Sequence, residues 1–391
     1  MVWPGQIVTP TAFDFAIVGA GISGAAAAAA LAARGVSVLL LEAESSPGYH
    51  STGRSAGLYT LNYGPPVVRK ITRLGLPLLQ APPAWFSQQP LLSPAGCLML
   101  ADTPDSVTLE EYVDTADPLS PVTLVSAAEA RRLAPLIRAE RIVAGAWEPA
   151  VTHIDVAAVH AAFLRQAAAG GVELQCDARV ESIQLGGSAG IHDCLINTTQ
   201  GEFRSATIIN AAGAWADQIA VLAGVDVIGL QPKRRTVMTQ PAPTAQFHEH
   251  PATMFIDDEP YLKCQNGQLT ASLGEASPVT AQDIRPDEID LARLIDWLEQ
   301  HTHVEVPRKP ASWAGLRSFV PDEQPVVGFD PVHSRFMWLA AQGGYGIMMA
   351  SVLGRACAAL ALDGELPEDV RAAGVTASQL SPVRAALGSP A

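Results

Sequence analysis

Three glycines and one acid near the start of the chain have the spacing of a phosphate- and ribose-binding turn. Gly19, Gly21 and Gly24 make G-x-G-x-x-G directly after Ala16-Ile17-Val18, and Glu42 stands 23 residues beyond Gly19. That is close to the ~20-residue offset of a dinucleotide fingerprint. Gly19 permits the tight turn, Gly21 lets backbone approach a pyrophosphate, and Gly24 lets the helix opened by Ile22 and Ser23 lie against the strands. The N–H groups of that helix start favour an anion. Glu42 can accept from a ribose diol and repels a 2′-phosphate, which disfavours NADP. NAD and FAD satisfy the pattern equally.

Two later stretches repeat the order strand, glycine turn, helix. Thr207-Ile208-Ile209 runs into Asn210-Ala211-Ala212-Gly213-Ala214-Trp215, and Phe336 to Ala341 runs into Gln342-Gly343-Gly344-Tyr345-Gly346-Ile347. Each offers a further close approach to a bound nucleotide, and the second presents a helix N-terminus to it. After Glu42, the loop bearing His50, Ser51, Thr52, Arg54 and Ser55 reads either as polar contacts to a cofactor or as a plain turn. Arg234 and Arg235 would face opposite ways on a strand, so one can enter a pocket.

These residues need a large scaffold. A chain of 391 residues with 16% charged residues implies a big interior and two domains. The net charge of −14 repels polyanions, and no basic run with interleaved aromatics offsets it, so nucleic acid is excluded as a partner. Five scattered cysteines without C-x-x-C suit a reducing compartment, and the nine histidines show no ligand spacing, so no metal is expected. Met1 to Asp14 reads as a loose leader rather than a signal peptide, and no run of ~18 strongly apolar residues marks a transmembrane segment. A cytoplasmic protein is the expectation.

Along the chain, Pro47-Gly48 and Gly53 mark a loop leading to a helix near Ser55. The proline-rich stretch from Gly64 to Pro94 suggests excursions around one helical piece. A strand is expected at Cys97–Leu100, a capped helix from Ser126 to Leu133, and another after Asp155 ending at Gly170-Gly171. Strands follow at 172–175, 194–198 and 203–209, with turns at Gly186-Gly187 and Gln200-Gly201. A strand at Tyr261–Lys263 and an amphipathic helix from Ile289 to Gln300 complete the middle of the chain.

With these pieces in order, the chain resembles the D-amino-acid oxidase-like FAD oxidoreductases over nearly its full length. The segments G-Y-H-S-T-G-R-S-A, L-Q-P-K-R-R, W-A-G-L-R-S-F and A-A-Q-G-G-Y-G-I look closest to the D-arginine dehydrogenase type. The resemblance implies non-covalent FAD and an α/β fold: a Rossmann-like, glutathione-reductase-like FAD-binding domain plus a mixed-sheet α+β substrate domain. The division it suggests is 14–64, 145–224 and 318–391 for the first and 65–144 and 225–317 for the second, with 1–13 and 380–391 as loose termini. It adds Ala43, Ala56, Val180 and Gly315 to the cofactor contacts.

By the same resemblance, Arg317 grips the substrate carboxylate, Tyr261 assists, and Tyr63 lies on a mobile loop that closes the pocket. Arg235 lines that pocket, and the Gly344 carbonyl accepts from the substrate amine. Two departures stand out: Leu58 replaces a histidine, and Gln88 replaces an acid. A cationic side chain would lose its countercharge there. The expected reaction is therefore oxidation of a D-amino acid, neutral or apolar in its side chain, to an imino acid that hydrolyses to a 2-oxo acid and ammonia. The electron acceptor, whether O₂, a quinone or another carrier, is left open. Rival readings are an oxidase or dehydrogenase of an N-methyl amino acid, an opine or a 2-hydroxy acid, a non-catalytic FAD-binding module, and a simple NAD dehydrogenase.

Overall fold

A computed structural model of the chain describes residues 12–103, 107–186, 194–244, 247, 249–256, 258–384 and 387. It contains two compact units. The described residues of the first fall within Met1–Tyr49, His160–Leu230 and Ser318–Ala391, and those of the second within His50–Val159 and Gln231–Arg317.

The first unit is built on an eight-stranded sheet. Its apolar strand Ala12–Val18 runs parallel to Val38–Leu41 on one side and to Gly201–Asn210 on the other. Such strands read as continuous hydrophobic runs because both faces are covered. Glu173–Gln175 extends the sheet beyond Val38–Leu41. On its far edge, Gly201–Asn210 pairs antiparallel with Cys194–Thr198 at its start and parallel with Phe336–Ala340 at its end. The core beneath holds Leu39, Ile208, Phe336 and Trp338.

The helix Ile22–Ala32 is almost wholly buried. Its alanines are a packing requirement, since the helix Gly346–Leu362 crosses it so closely that a Cβ on Gly354 would come within 2.7 Å of the Ala26 backbone. Neither helix has a side-chain cap at its N-terminus.

A nine-stranded mixed sheet forms the second unit. From one edge, Ser277–Pro278, Gln231–Pro241, Gln268–Ser272, Asp258–Gln265, Ala252–Phe255, Cys97–Ala101, Ala144–Glu148 and Thr123–Ser126 follow in order, while Ala311–Phe319 pairs with Gln231–Pro241. One face buries Met238, Leu262 and Cys264 under the helix Glu288–His301, whose Leu294, Trp297 and Leu298 supply the other half of that core. Strand alternation sends Arg235, Tyr261 and Lys263 to the opposite face. A small sheet of Leu58–Tyr59, Thr152–Ile154 and Leu92–Pro94 belongs to the same unit.

Several expectations shift. No helix forms near Ser55, where turns lead instead into the strand Leu58–Tyr59. Ile154 N donates to Gly57 O at 3.0 Å, and this recruits the segment into the small sheet. Ala12 and Phe13, expected to be loose, already belong to the central strand because Ala12 and Phe13 pair with Arg204 and Ser205. At the other end, Leu380 closes the short helix Ala377–Leu380, and Arg384 is ion-paired to Asp322 at 2.6 Å. The compact units also assign 50–64 and 145–159 to the second unit, where the sequence division put them in the first. The remaining leader 1–11, Gly187 of the expected turn, and 385–386 and 388–391 of the tail lie outside the described residues. Among the described residues, no helix is long and apolar enough to cross a membrane.

Candidate active site

In the first unit, three glycine turns gather at the ends of adjacent parallel strands. Gly19 has φ +102°, and a Cβ there would lie 2.6 Å from Ala211 O in the second turn. A Cβ on Gly24 would meet Gly19 O, so the helix of Ile22 and Ser23 starts directly against the first turn. Glu42 Oε2 accepts from Ala20 N and its Oε1 from Glu44 N, both at 3.0 Å. The carboxylate thus holds the Gly19–Gly21 turn and the start of the next loop, at Ala43, together.

The second turn is fixed by Asn210, which donates to Ala216 O at 2.7 Å and accepts from Ala212 N at 3.3 Å. Gly213 and Trp215 then form a short 3₁₀ turn. Val180 is buried on a neighbouring strand of this sheet.

In the third turn Gly343 N donates to Ser318 O at 2.9 Å. Gly343 has φ +51°, and a Cβ would strike the Phe319 ring, which itself packs edge-on against Tyr345. Gly344 is exposed in this turn, and Gly346 and Ile347 begin the last helix. Gln342 joins two helix starts: its Oε1 accepts from Ser23 Oγ, and its buried Nε2 has no protein partner among the described residues. Two uncapped helix N-termini, turns in which a Cβ would clash, and a buried unpaired amide together fit a dinucleotide diphosphate with its ribose on Glu42.

The polar loop sorts differently. Ser51 Oγ donates to Leu316 O at 2.7 Å, and Ser55 Oγ accepts from Gly57 N at 3.2 Å. The Arg54 guanidinium donates to Ile284 O and Ala314 O, each at 3.1 Å, and to Asp283 at 2.5 Å, while Trp313 Nε1 donates to Arg54 O. Gly315 lies against the Arg54 side chain. Arg54 therefore clamps the loop to the strand that carries Arg317. His50 and Ala56 are half-buried and Thr52 is buried.

On that strand Arg317 Nη2 donates to Tyr63 Oη at 2.8 Å. Arg235 lies in the same electrostatic neighbourhood: burial first, then the charge of Arg317, lowers its pKa, while Tyr63, Tyr261 and Glu275 oppose the shift. Arg235 Nε also donates to Glu275 O at 2.8 Å. Arg234, one residue earlier, pairs with Asp290 at 2.8 Å on the other side of the strand. Tyr261 is buried beside Ser272, and burial raises its pKa, so it stays a hydroxyl donor. Burial likewise raises the pKa of Glu275, against the hydrogen bond it accepts from Thr236 N.

Two guanidiniums whose charges act on each other, flanked by two phenols, could hold an anion, because a bound anion would relieve their mutual repulsion. Leu58 packs against the cluster of Cys97, Val151 and Ala252, whereas Gln88 is exposed in a bend. Glu275 lies in no motif that marks it as a polar group of the site, whereas Gln342 belongs to the A-A-Q-G-G-Y-G-I segment but is not singled out there as a contact. Farther along the face of Tyr261, Lys263 is buried with its Nζ 3.3 Å from both His153 Nδ1 and Gln265 Oε1.

Known proteins share the sequence pattern and the fold of this chain. Rat mitochondrial dimethylglycine dehydrogenase is 27% identical over 376 residues, covering 90% of this chain but 43% of that protein, so the chain spans less than half the length of that relative. Glycine oxidase of Geobacillus kaustophilus is 24% identical over 356 residues, 88% of this chain and 91% of that one. The crystal structure of L-proline dehydrogenase from P. horikoshii superposes with a TM-score of 0.78 at 21% identity, covering 96% and 98% of the two chains. The model of the family described as FAD dependent oxidoreductase, DAO, matches residues 14–360, so the chain belongs to that family and its cofactor is FAD.

Proposed function

We propose that the protein oxidises a D-amino acid to its imino acid, which water converts to a 2-oxo acid and ammonia. The observation that carries this reading is the anion site of Arg317, Tyr63, Tyr261 and Arg235, in which Arg317 donates to Tyr63 at 2.8 Å. A guanidinium can grip a carboxylate through two parallel charge-assisted bonds. Tyr63 accepts from Arg317, and a phenol that accepts can also donate its hydroxyl proton, here to the same carboxylate. Tyr261, kept protonated by burial, supplies another donor. Fixing the carboxylate in this way restricts how the Cα–H can point.

FAD, when bound, supplies the two-electron acceptor that takes the Cα–H as hydride at N5. Gly19, Gly21, Gly24 and Glu42 would hold its ADP half, with Gly213 and the turn 342–347 as further contacts. The excess amine proton passes to solvent. The apolar setting of Leu58 supports a neutral or apolar substrate side chain.

An N-methyl amino acid is the second reading. It is supported by the likeness to dimethylglycine dehydrogenase, since the same anion site would serve any amino-acid carboxylate. Product analysis separates them. Ammonia and a 2-oxo acid from primary D-amino acids support the first reading, whereas formaldehyde and a demethylated amino acid, with no turnover of primary amines, contradict it.

A further inference from the structure

Glu148 is among the most buried charged groups of the second unit, at 1% exposure. Its hydrogen-bond partners among the described residues are neutral. Oε1 accepts from Thr60 Oγ1 at 2.8 Å, Asn62 Nδ2 at 2.8 Å and Ser120 Oγ at 2.6 Å, and Oε2 accepts from Tyr112 Oη at 2.6 Å. Hydrogen bonds to a charged group are worth about 1.5–3 kcal/mol each, so burying this carboxylate is sustained only while the four donors stay in place. It lies at the end of the strand Ala144–Glu148 and faces three other segments.

Two of those donors, Thr60 and Asn62, lie within the three residues before Tyr63. Asn62 is further tied by Nδ2 to Ser120 O at 2.9 Å and by Oδ1 to Asp117 N at 2.7 Å. On the other side of Tyr63, Arg69 Nε donates to Gly64 O at 2.9 Å, and its Nη1 to Thr115 O at 3.2 Å. The backbone is therefore pinned before and after Tyr63, while Tyr63 itself is 43% exposed and its hydroxyl reaches Arg317.

We infer that Glu148 is a positioning residue for substrate binding: its charge gathers Thr60, Asn62, Ser120 and Tyr112 so that the Tyr63 hydroxyl is held on Arg317 before the carboxylate arrives. This rests on the reading of Arg317 and Tyr63 as the carboxylate site and adds the group that pre-organises it. Glu148→Gln keeps the shape but replaces one acceptor oxygen by an NH₂ donor, which faces hydroxyl or amide donors whichever way the amide turns.

The test is a double-mutant cycle of Glu148→Gln and Tyr63→Phe on the FAD-loaded enzyme, with the visible flavin spectrum and thermal unfolding as controls for folding. Each single variant is expected to raise KM about tenfold and leave kcat within about twofold, the pattern of lost uniform binding. The double variant is expected to be no worse than the poorer single one, because both act through the same hydroxyl. Should Glu148→Gln fail to fold, Ser120→Ala and Asn62→Ala each remove one donor and must show the same KM signature and the same lack of additivity with Tyr63→Phe. Additive losses, or an unchanged KM in Glu148→Gln beside a raised one in Tyr63→Phe, overturn the role of Glu148. An unchanged KM in Tyr63→Phe overturns the carboxylate site itself.

Discussion

Arg317 and Tyr63, 254 positions apart in the chain, meet through a 2.8 Å hydrogen bond in which the guanidinium donates to the phenol oxygen. The bond uses one N–H of a guanidinium whose planar fork suits a carboxylate. Burial, and then the charge of Arg317, lowers the pKa of Arg235, so an anion bound beside the pair would relieve part of that repulsion.

Arg317→Lys keeps the charge but loses the planar fork, so it should lower kcat/KM about 10- to 100-fold, corresponding to ~1.4–2.8 kcal/mol. Steady-state kinetics with a reactive D-amino acid reads this directly. A lysine variant within twofold of wild type would mean that bidentate recognition is absent.

Glu42 should govern FAD retention. Its two oxygens hold Ala20 N and Glu44 N, and its replacement by alanine removes those bonds together with the acceptor for the ribose. The FAD dissociation constant should rise about 10-fold or more, on the ~1.5–3 kcal/mol scale of charged hydrogen bonds. Gly19→Ala should be worse, since left-handed backbone at φ +102° and a Cβ 2.6 Å from Ala211 O both oppose it. Strain of this kind costs about 1–3 kcal/mol before the clash is counted. Equilibrium dialysis of FAD and thermal unfolding of the two apoproteins measure these effects.

Lys263 makes stability depend on alkaline pH. Burial lowers its pKa from the ordinary 10.5 to about 8, and burial, followed by the charge of Lys263, lowers that of His153 to about 4. Both folded values lie below the unfolded ones, so each contribution to stability is present above the unfolded pKa and lost as pH falls through the folded one. For Lys263 the window is pH ~10.5 down to about 8. Lys263→Met should therefore stabilise the protein at pH 7 by about 1–3 kcal/mol, and the gain should shrink toward pH 10. Denaturant unfolding at both pH values tests it; a gain of equal size at each would contradict the shifted amine.

Side-chain preference should follow Leu58. Since Leu58 packs against Cys97, Val151 and Ala252, kcat/KM for an apolar D-amino acid should exceed that for D-lysine by about tenfold or more, because burying an ammonium without a partner is costly. Leu58→Asp should narrow that ratio. A panel in which D-arginine or D-lysine ranks first would refute the preference.

The glycine turns show in the sequence because a strand, a tight turn and a helix start need contiguous residues at fixed offsets. Gly19, Gly21, Gly24 and Glu42 could be read directly for that reason, as could the capped helix after Ser126, whose hydroxyl accepts from Glu129 N. The clamp of Arg54 on Asp283 spans 229 positions, and no local pattern announces it. Glu148 was invisible for the same reason: its partners come from residues 60, 62, 112 and 120, and only the folded sheet assembles them. The helix expected near Ser55 failed because pairing of Leu58 with His153 outweighed a local preference. Tertiary context routinely overrides propensity in this way.

The most direct measurement is anaerobic reduction of the bound flavin, followed by its visible absorbance, with matched D- and L-amino acids and N-methyl amino acids. The account predicts rapid bleaching by an apolar D-amino acid, little or none by its L-enantiomer, and loss of that bleaching at moderate substrate concentration in Arg317→Lys. Bleaching by the L-enantiomer alone, or by N-methyl amino acids alone, would contradict it.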